Sequence, residues 1–116
     1  MKRFEDLLVW KKAQQLFVEL NAIFGKTNHF FIKDQILRAG LSISNNIAEG
    51  FERRSNKEFA YFLYIAKGSS GEVRSMIYIS YEMKILNEEK KQKFISQTEE
   101  ISKMISGLIQ SVNKQI

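Results

Sequence analysis

Residues 36–73 read ILRAGLSISNNIAEGFERRSNKEFAYFLYIAKGSSGEV, and this is the most informative part of the chain. Small and apolar residues at helical spacing are followed by a Gly-Phe-Glu-Arg-Arg-Ser turn at 50–55, and then by a second helical pattern containing glycines and serines. Small side chains allow neighbouring helices to approach closely. The stretch therefore predicts two closely packed helices with a basic corner between them, and it contains no recognisable reaction centre.

The rest of the chain adds two further helices. Proline is absent from all 116 residues, which favours long uninterrupted helices. Apolar spacing of three and four predicts helices over about residues 5–25, 32–53, 55–83 and 87–112. On each helix, the residues at this spacing form a seam that is expected to face the neighbouring helices. In chain order the four seams are Trp10, Ala13, Phe17, Leu20 and Phe24; Ile36, Gly40, Ser44, Ile47 and Phe51; Phe59, Phe62, Ala66, Ser69, Val73, Met76, Ser80 and Met83; and Phe94, Thr98, Ile101, Ile105, Leu108 and Val112.

Local signals support this division of the chain. Ser55 and Glu58 have the spacing of a capping box at the start of the third helix, and Asn87 is a favourable N-cap for the fourth. The segments 61–65 and 76–81 are rich in strand-favouring residues, but the sustained helical period argues against strands. Short connections make consecutive helices antiparallel. The prediction is one all-α domain over residues 1–116, an up-down-up-down four-helix bundle.

The third helix carries more apolar surface than one core requires. Tyr61, Ile65, Gly68 and Ile79 follow helical spacing on the side away from its seam, with further tyrosines beside them. A monomeric bundle would be expected to carry charged residues on that face. We therefore interpret these four residues as a contact with another copy of the chain. The alternative is a monomer whose tyrosines partly cover the surface with their hydroxyls in water.

The net charge of +5 points to an anionic partner, although only modestly. Arg53, Arg54 and Lys57 lie together at the predicted corner, and Lys67 and Arg74 lie one heptad apart on the third helix. Further basic residues near the start are Lys2, Arg3, Lys11 and Lys12. Many charges also have helix-spaced partners, namely Asp34 with Arg38, Glu49 with Arg53, Glu89 with Lys93, and Glu99 with Lys103. Ordinary solvated helix surface is therefore the alternative to a nucleic-acid interface.

Catalytic and metal chemistry finds little support. Cysteine is absent, so no thiolate site can form within one chain, and the only histidine, His29, cannot build a histidine metal cluster. His29 lies in a predicted loop, where a solvated side chain is favoured over a catalytic one because a triad needs oriented partners. Residues 68–71, Gly-Ser-Ser-Gly, lack the strand and the following Lys-Ser/Thr of a phosphate loop, and we interpret them as a close-packing site. Glu49 and Glu72 could form an acid/base pair or hold a divalent ion, but structural roles are favoured. No cofactor, metal or membrane segment is predicted.

Two runs of residues carry a family resemblance. Residues 42–51, Ser-Ile-Ser-Asn-Asn-Ile-Ala-Glu-Gly-Phe, are followed at 53–59 by Arg-Arg-Ser-Asn-Lys-Glu-Phe, and 62–69 continue with Phe-Leu-Tyr-Ile-Ala-Lys-Gly-Ser. Together with the opening from Phe4 to Ala13, they resemble the four-helix bundle proteins of the 23S rRNA-intervening-sequence family. Ser44 stands where the family often has proline, and residues 70–73, Ser-Gly-Glu-Val, stand where it often has Leu-x-Glu-Leu.

The resemblance implies a cytoplasmic bacterial protein related to the accessory variability proteins of diversity-generating retroelements. Those relatives form pentamers that bind nucleic acid and a reverse transcriptase. We therefore expect a non-enzymatic homo-oligomer, pentameric by this analogy, that binds RNA or DNA through Arg53, Arg54, Lys57, Lys67 and Arg74. The alternative is a protein–protein adaptor whose apolar face recruits a different partner and whose basic charge serves solubility.

Overall fold

The computed structural model describes residues 3–116, which form four α-helices. They are α1 Leu8–Phe24, α2 Phe30–Phe51, α3 Asn56–Glu82 and α4 Glu88–Asn113, and a 3-10 turn at Phe4–Asp6 precedes α1. The all-α prediction is confirmed, because this part of the chain contains no strand. The first helix starts later than predicted, since Leu7 is extended between the 3-10 turn and α1. Within residues 3–116, no helix combines the length and apolar content that crossing a bilayer requires.

The starts of α3 and α4 are capped where the sequence predicted. The Ser55 hydroxyl accepts a hydrogen bond from the Glu58 backbone N–H at 3.1 Å. The Asn87 side-chain oxygen accepts one from the Lys90 N–H at 2.8 Å. Each cap satisfies a backbone donor that the first helical turn leaves without a partner.

The end of α3 is closed by backbone geometry that the sequence does not signal. Lys84 adopts a left-handed conformation with φ of 65°. The Ile85 N–H donates to the Ser80 carbonyl at 2.9 Å and the Lys84 N–H to the Tyr81 carbonyl at 3.0 Å. This is a Schellman motif with lysine at the position where glycine is usual.

The helices pack as a bundle in which each contacts two others. The backbone of α3 lies beside those of α2 and α4, and the backbone of α1 also lies beside those of α2 and α4, while no Cα atom of α1 comes within 8 Å of one of α3 in the described residues. The molecule measures 45 × 20 × 20 Å, and its long dimension is close to the roughly 40 Å expected of a 27-residue helix such as α3. The arrangement is a four-helix bundle with its core along the long axis.

The core confirms the predicted seams in part. The largest fully buried side chains are Phe24, Phe94, Leu16, Leu20, Ile36, Ile43, Ile47, Leu63, Ile77, Ile101, Ile105 and Val73. The predicted seam residues Trp10, Phe17, Phe51, Phe59, Phe62, Met76 and Leu108 are only partly buried, and Met83 is exposed. On α3 the buried arc is broader than one seam, because this helix packs against two neighbours.

Two glycines of α2 allow close helix contacts. A β-carbon at Gly40 would lie 3.0 Å from Leu20 Cδ1 on α1. One at Gly50 would lie 2.8 Å from Phe62 Cβ and 3.2 Å from the Phe59 carbonyl oxygen on α3. The glycine that ends the Asn-Ile-Ala-Glu-Gly run, Gly50, therefore has a steric explanation, because α2 and α3 converge there and leave little room for a side chain.

Consecutive serines of α3 link it to both neighbouring helices. The Ser69 hydroxyl is 2.9 Å from the Ser42 hydroxyl on α2. The Ser70 hydroxyl donates to the Thr98 carbonyl at 3.1 Å and lies 2.9 Å from the Ser102 hydroxyl, both on α4. Ser69 is 6% exposed and Ser70 is fully buried, so these bonds satisfy hydroxyls that have little or no access to water.

Polar side chains bridge α1 and α4. Lys12 Nζ lies 3.1 Å from a Glu100 oxygen. Glu19 pairs with Lys93 and accepts a hydrogen bond from Gln97 at 3.0 Å. Burial raises the pKa of Glu19, but the hydrogen bonds and charges of its partners on α4 outweigh this and leave the pKa below its ordinary value.

The helix glycines provide a first test of this packing. Gly50→Ala should destabilise the protein by about 1–2 kcal/mol, because overpacking against Phe62 exceeds the gain in helix propensity. Gly71→Ala is the matched control, since its β-carbon would meet nothing within 4 Å, and it should stabilise by up to about 1 kcal/mol. Urea denaturation measures both changes. Equal effects of the two substitutions would contradict the close contact at Gly50.

Candidate nucleic-acid interface

Arg53 is held in place at the turn between α2 and α3. Its Nε lies 3.1 Å from Glu49 Oε2, and its Nη1 lies 3.6 Å from Glu58 Oε2. The guanidinium carbon is 4.7 Å from the centre of the Phe62 ring. Two carboxylates and one aromatic face thus engage Arg53, which joins the end of α2 to the start of α3. These contacts favour a structural role for Arg53, and its predicted contact with nucleic acid stays a prediction.

Arg54 and Lys57 are the accessible cations of this turn. Both side chains are exposed, and neither has a carboxylate within 4.0 Å in the part of the chain that the structure describes. Ser55 caps α3 between them, so the cap fixes the backbone from which they project. These two residues carry the free positive charge that the sequence predicted for all three.

Lys67 and Arg74 form a second basic group on α3. Lys67 lies ten residues beyond Lys57, which corresponds to about 15 Å along a helix. Lys67 and Arg74 both line a groove between α3 and α4 with a volume of about 770 Å³. The structure therefore divides the predicted basic residues into a turn and a groove.

Lys103 is a groove residue that the sequence reasoning did not select. It lies on α4 and lines the same groove as Lys67, together with Glu99. The i,i+4 spacing predicted a Glu99–Lys103 pair, but these side chains are not within ion-pair distance in the described structure. Only the packing of α4 against α3 brings Lys103 into the same groove as Lys67. The one signal in the sequence that pointed to this part of α4 was Gly107, a glycine inside an otherwise helical pattern.

The other predicted helix-spaced pairs have mixed outcomes. Glu49 and Arg53 do pair. Lys93 pairs across the bundle with Glu19 instead of with Glu89. Asp34 and Arg38 are not within ion-pair distance among residues 3–116. Near the start, Lys12 contacts Glu100 and Arg3 contacts Glu5 at 3.4 Å, while Lys2 lies outside the described residues.

The predicted oligomer face is exposed on α3. Tyr61 is 62% exposed, Ile79 47% and Ile65 37%. Gly68 is also exposed, and Tyr64 and Tyr78 lie beside this stripe. The chain itself therefore leaves this apolar face uncovered.

The interpretation of residues 68–71 as a close-packing site is wrong for the glycines. A β-carbon at Gly68 or Gly71 would meet nothing within 4 Å, whereas Ser69 and Ser70 face the neighbouring helices. The helical period explains this, because the glycines fall on the solvent side of α3.

The remaining candidates for chemistry are dispersed. Glu49 is paired with Arg53, Glu72 is exposed on α3, and His29 is exposed at the start of α2. Among residues 3–116, no three carboxylate or imidazole side chains are grouped so that they could hold a metal ion.

Arginine substitutions at the turn test the division of roles. Arg53→Ala should lower the free energy of unfolding by about 1–2 kcal/mol, because it removes a paired side chain that packs on Phe62. Arg54→Ala should change the free energy of unfolding by less than about 0.5 kcal/mol, because the Arg54 side chain is exposed and, within residues 3–116, unpaired. Guanidinium chloride titration compares the two. A larger loss at Arg54 would contradict these assignments.

Comparison with known proteins agrees with this structure. A solved structure from Bacteroides thetaiotaomicron, described as a protein with unknown function from the S23 ribosomal protein family, superposes with a TM-score of 0.84 at 24% identity, covering 88% of this chain and 98% of that one. At this identity the likeness shows the fold alone. A comparison with curated proteins gives no match. The sequence model of the 23S rRNA-intervening sequence protein family matches residues 5–107. Because this match covers most of the chain, the protein belongs to the 23S rRNA-intervening sequence protein family.

Proposed function

We propose that this chain is a non-enzymatic, homo-oligomeric module that binds RNA or DNA through exposed basic side chains. The observation that carries the proposal is the turn between α2 and α3, where Arg54 and Lys57 are exposed and unpaired within residues 3–116. Phosphate groups are the partners that a folded basic surface of this kind recognises, largely without regard to sequence. Lys67 and Arg74 extend the basic surface along α3. Cytoplasmic localisation in bacteria is part of the proposal and rests on the family resemblance.

The proposed topology is antiparallel, up-down-up-down. Connections of only a few residues join consecutive helices, which favours antiparallel neighbours. Lys84 and Ile85, after α3, border the same pocket as Thr27 and His29, between α1 and α2. At another point Asn56, at the start of α3, donates to Gln115 near the C-terminus. These contacts support the alternating directions of the four helices.

The proposed assembly uses the exposed apolar stripe of Tyr61, Ile65, Gly68 and Ile79. Aromatic residues are enriched at subunit interfaces, and contiguous apolar surface of this kind marks interaction sites. The resemblance to the accessory variability proteins suggests five subunits. A ring would also repeat Arg54 and Lys57 around its circumference, which would multiply their attraction for a polyanion.

An adaptor without nucleic-acid binding is the second candidate. It is favoured by apolar exposure beyond the α3 stripe, because Phe30 is 66% and Phe31 79% exposed at the start of α2. In that case the apolar surfaces would recruit a different protein, and the basic side chains would serve solubility.

Light scattering on the purified protein tests the assembly. We expect a mass several times 13.6 kDa at micromolar concentration, about 68 kDa for five copies. Ile79→Lys should shift the protein towards monomers, because it places a charge in the apolar contact. Val18→Lys is the matched control, since Val18 is 60% exposed on α1, away from the stripe, and it should leave the mass unchanged. A monomeric parent protein would refute the oligomer.

Salt-dependent binding to labelled duplexes of different sequence tests the basic turn. The logarithm of the affinity should fall with the logarithm of salt concentration with a slope of about −0.9 per phosphate contacted. Reversing both charges with Arg54→Glu and Lys57→Glu should weaken binding to every sequence alike and reduce the slope. Lys11→Glu with Lys26→Glu is the control of equal charge change at exposed positions on another part of the surface. If the turn variant matches the parent in affinity and slope, the adaptor is favoured.

A further inference from the structure

The protein keeps three glycines inside long helices where the packing of the single chain does not require them. A β-carbon at Gly68, Gly71 or Gly107 would meet no other atom within 4 Å, unlike one at Gly40 or Gly50. Glycine inside a helix is about 1 kcal/mol less favourable than alanine. All three line one groove between α3 and α4. The lack of side chains keeps that groove open and brings the helix backbones close to whatever enters it.

The charge of the groove indicates an anionic occupant. Lys67 and Arg74 line it from α3 and Lys103 from α4, against the single carboxylate of Glu99. None of these three cations has an ion-pair partner within 4.0 Å in the described chain. Lys67 and Arg74 are seven residues apart, which is about 10 Å along the helix. The positive charge is therefore spread along the groove, as an extended polyanion requires.

Tyr64 adds an aromatic surface to the same groove. It is 57% exposed and follows the spacing of Lys67 and Gly71 on α3. Single-stranded nucleic acid is bound by combining basic side chains along its backbone with aromatic rings on which bases stack. In a duplex the base faces are stacked on one another and are not available to a tyrosine. The combination of ring, cations and open groove thus fits a single strand better than a duplex.

We propose that the groove between α3 and α4 binds a single-stranded segment of RNA or DNA. Lys67, Arg74 and Lys103 contact its phosphates, and Tyr64 stacks on a base. Gly71 and Gly107 leave the space through which the strand approaches the helices. This assignment rests on the proposed nucleic-acid binding, but it names a strand type and a site separate from the turn at Arg54 and Lys57.

Filling the groove without changing its charge is the direct test. Gly71→Leu with Gly107→Leu places apolar side chains in the groove, and each substitution improves helix propensity at a position with free space. Denaturation and light scattering should therefore show a folded protein of parental mass. The probes are a fluorescent oligothymidine, an oligouridine of equal length, and the duplex of the oligothymidine with oligoadenine. We expect tenfold or more weaker binding of both single strands and little change for the duplex.

Tyr64 variants separate stacking from charge. Tyr64→Ala should weaken single-strand binding by roughly five- to a hundredfold, and Tyr64→Phe, which keeps the ring, should retain it. Tyr78→Ala is the control, since Tyr78 is a half-exposed tyrosine of α3 that does not line the groove.

The outcomes distinguish this inference from the function on which it rests. A parent protein that binds neither single strands nor duplex refutes nucleic-acid binding altogether. A parent that binds, and is weakened by the Arg54 and Lys57 reversals but not by the leucine variant, refutes only the groove. A leucine variant that dissociates into monomers would show that the groove is a subunit contact and would equally overturn the proposal.

Discussion

The hydrogen bonds of two adjacent serines set the position of α3 relative to both of its neighbours. Ser69 bonds to Ser42 on α2, while Ser70 bonds to the Thr98 carbonyl and meets Ser102 on α4. A buried hydroxyl without a partner is costly, so sliding either neighbour along α3 would be opposed by the loss of these bonds. Apolar contacts alone would tolerate such a shift more readily. These two hydroxyls therefore help to fix the register of three helices, and the basic turn and the groove depend on that register.

This constraint also explains why α3 presents different properties on its different sides. The serines face inward, and the residues flanking them, Gly68 and Gly71, face outward because neighbouring positions on a helix point about 100° apart. Basic residues and Tyr64 border α4, and Tyr61, Ile65 and Ile79 lie on the exposed side of the helix. α3 thus contacts two neighbouring helices through its inward side and also carries the basic groove residues and the exposed apolar stripe.

Features that depend on residues close together in the sequence were predicted better than features that depend on tertiary packing. The caps at Ser55 and Asn87 were predictable because a cap acts within one helical turn. The core of α3 was misplaced in part, with Phe62 chosen over Leu63, because spacing alone does not separate two adjacent apolar positions. Lys103 was missed because only tertiary packing places it in the same groove as Lys67. Lys84 was equally hidden, since lysine gives no sign of a left-handed conformation.

The polar side chains that bridge α1 and α4 make the contact between these two helices depend on pH. Glu19, held by Lys93 and Gln97, has a lowered pKa, so its pairing stabilises the folded protein at pH values above the pKa that the residue has when unfolded. That contribution is lost as the pH falls through the lowered value and the carboxylate takes up a proton. Protonation therefore weakens one of the polar links that join α1 to α4, beside the Lys12–Glu100 pair. Acid conditions therefore weaken the polar link between α1 and α4, while the buried apolar side chains of α1 keep it packed in the core.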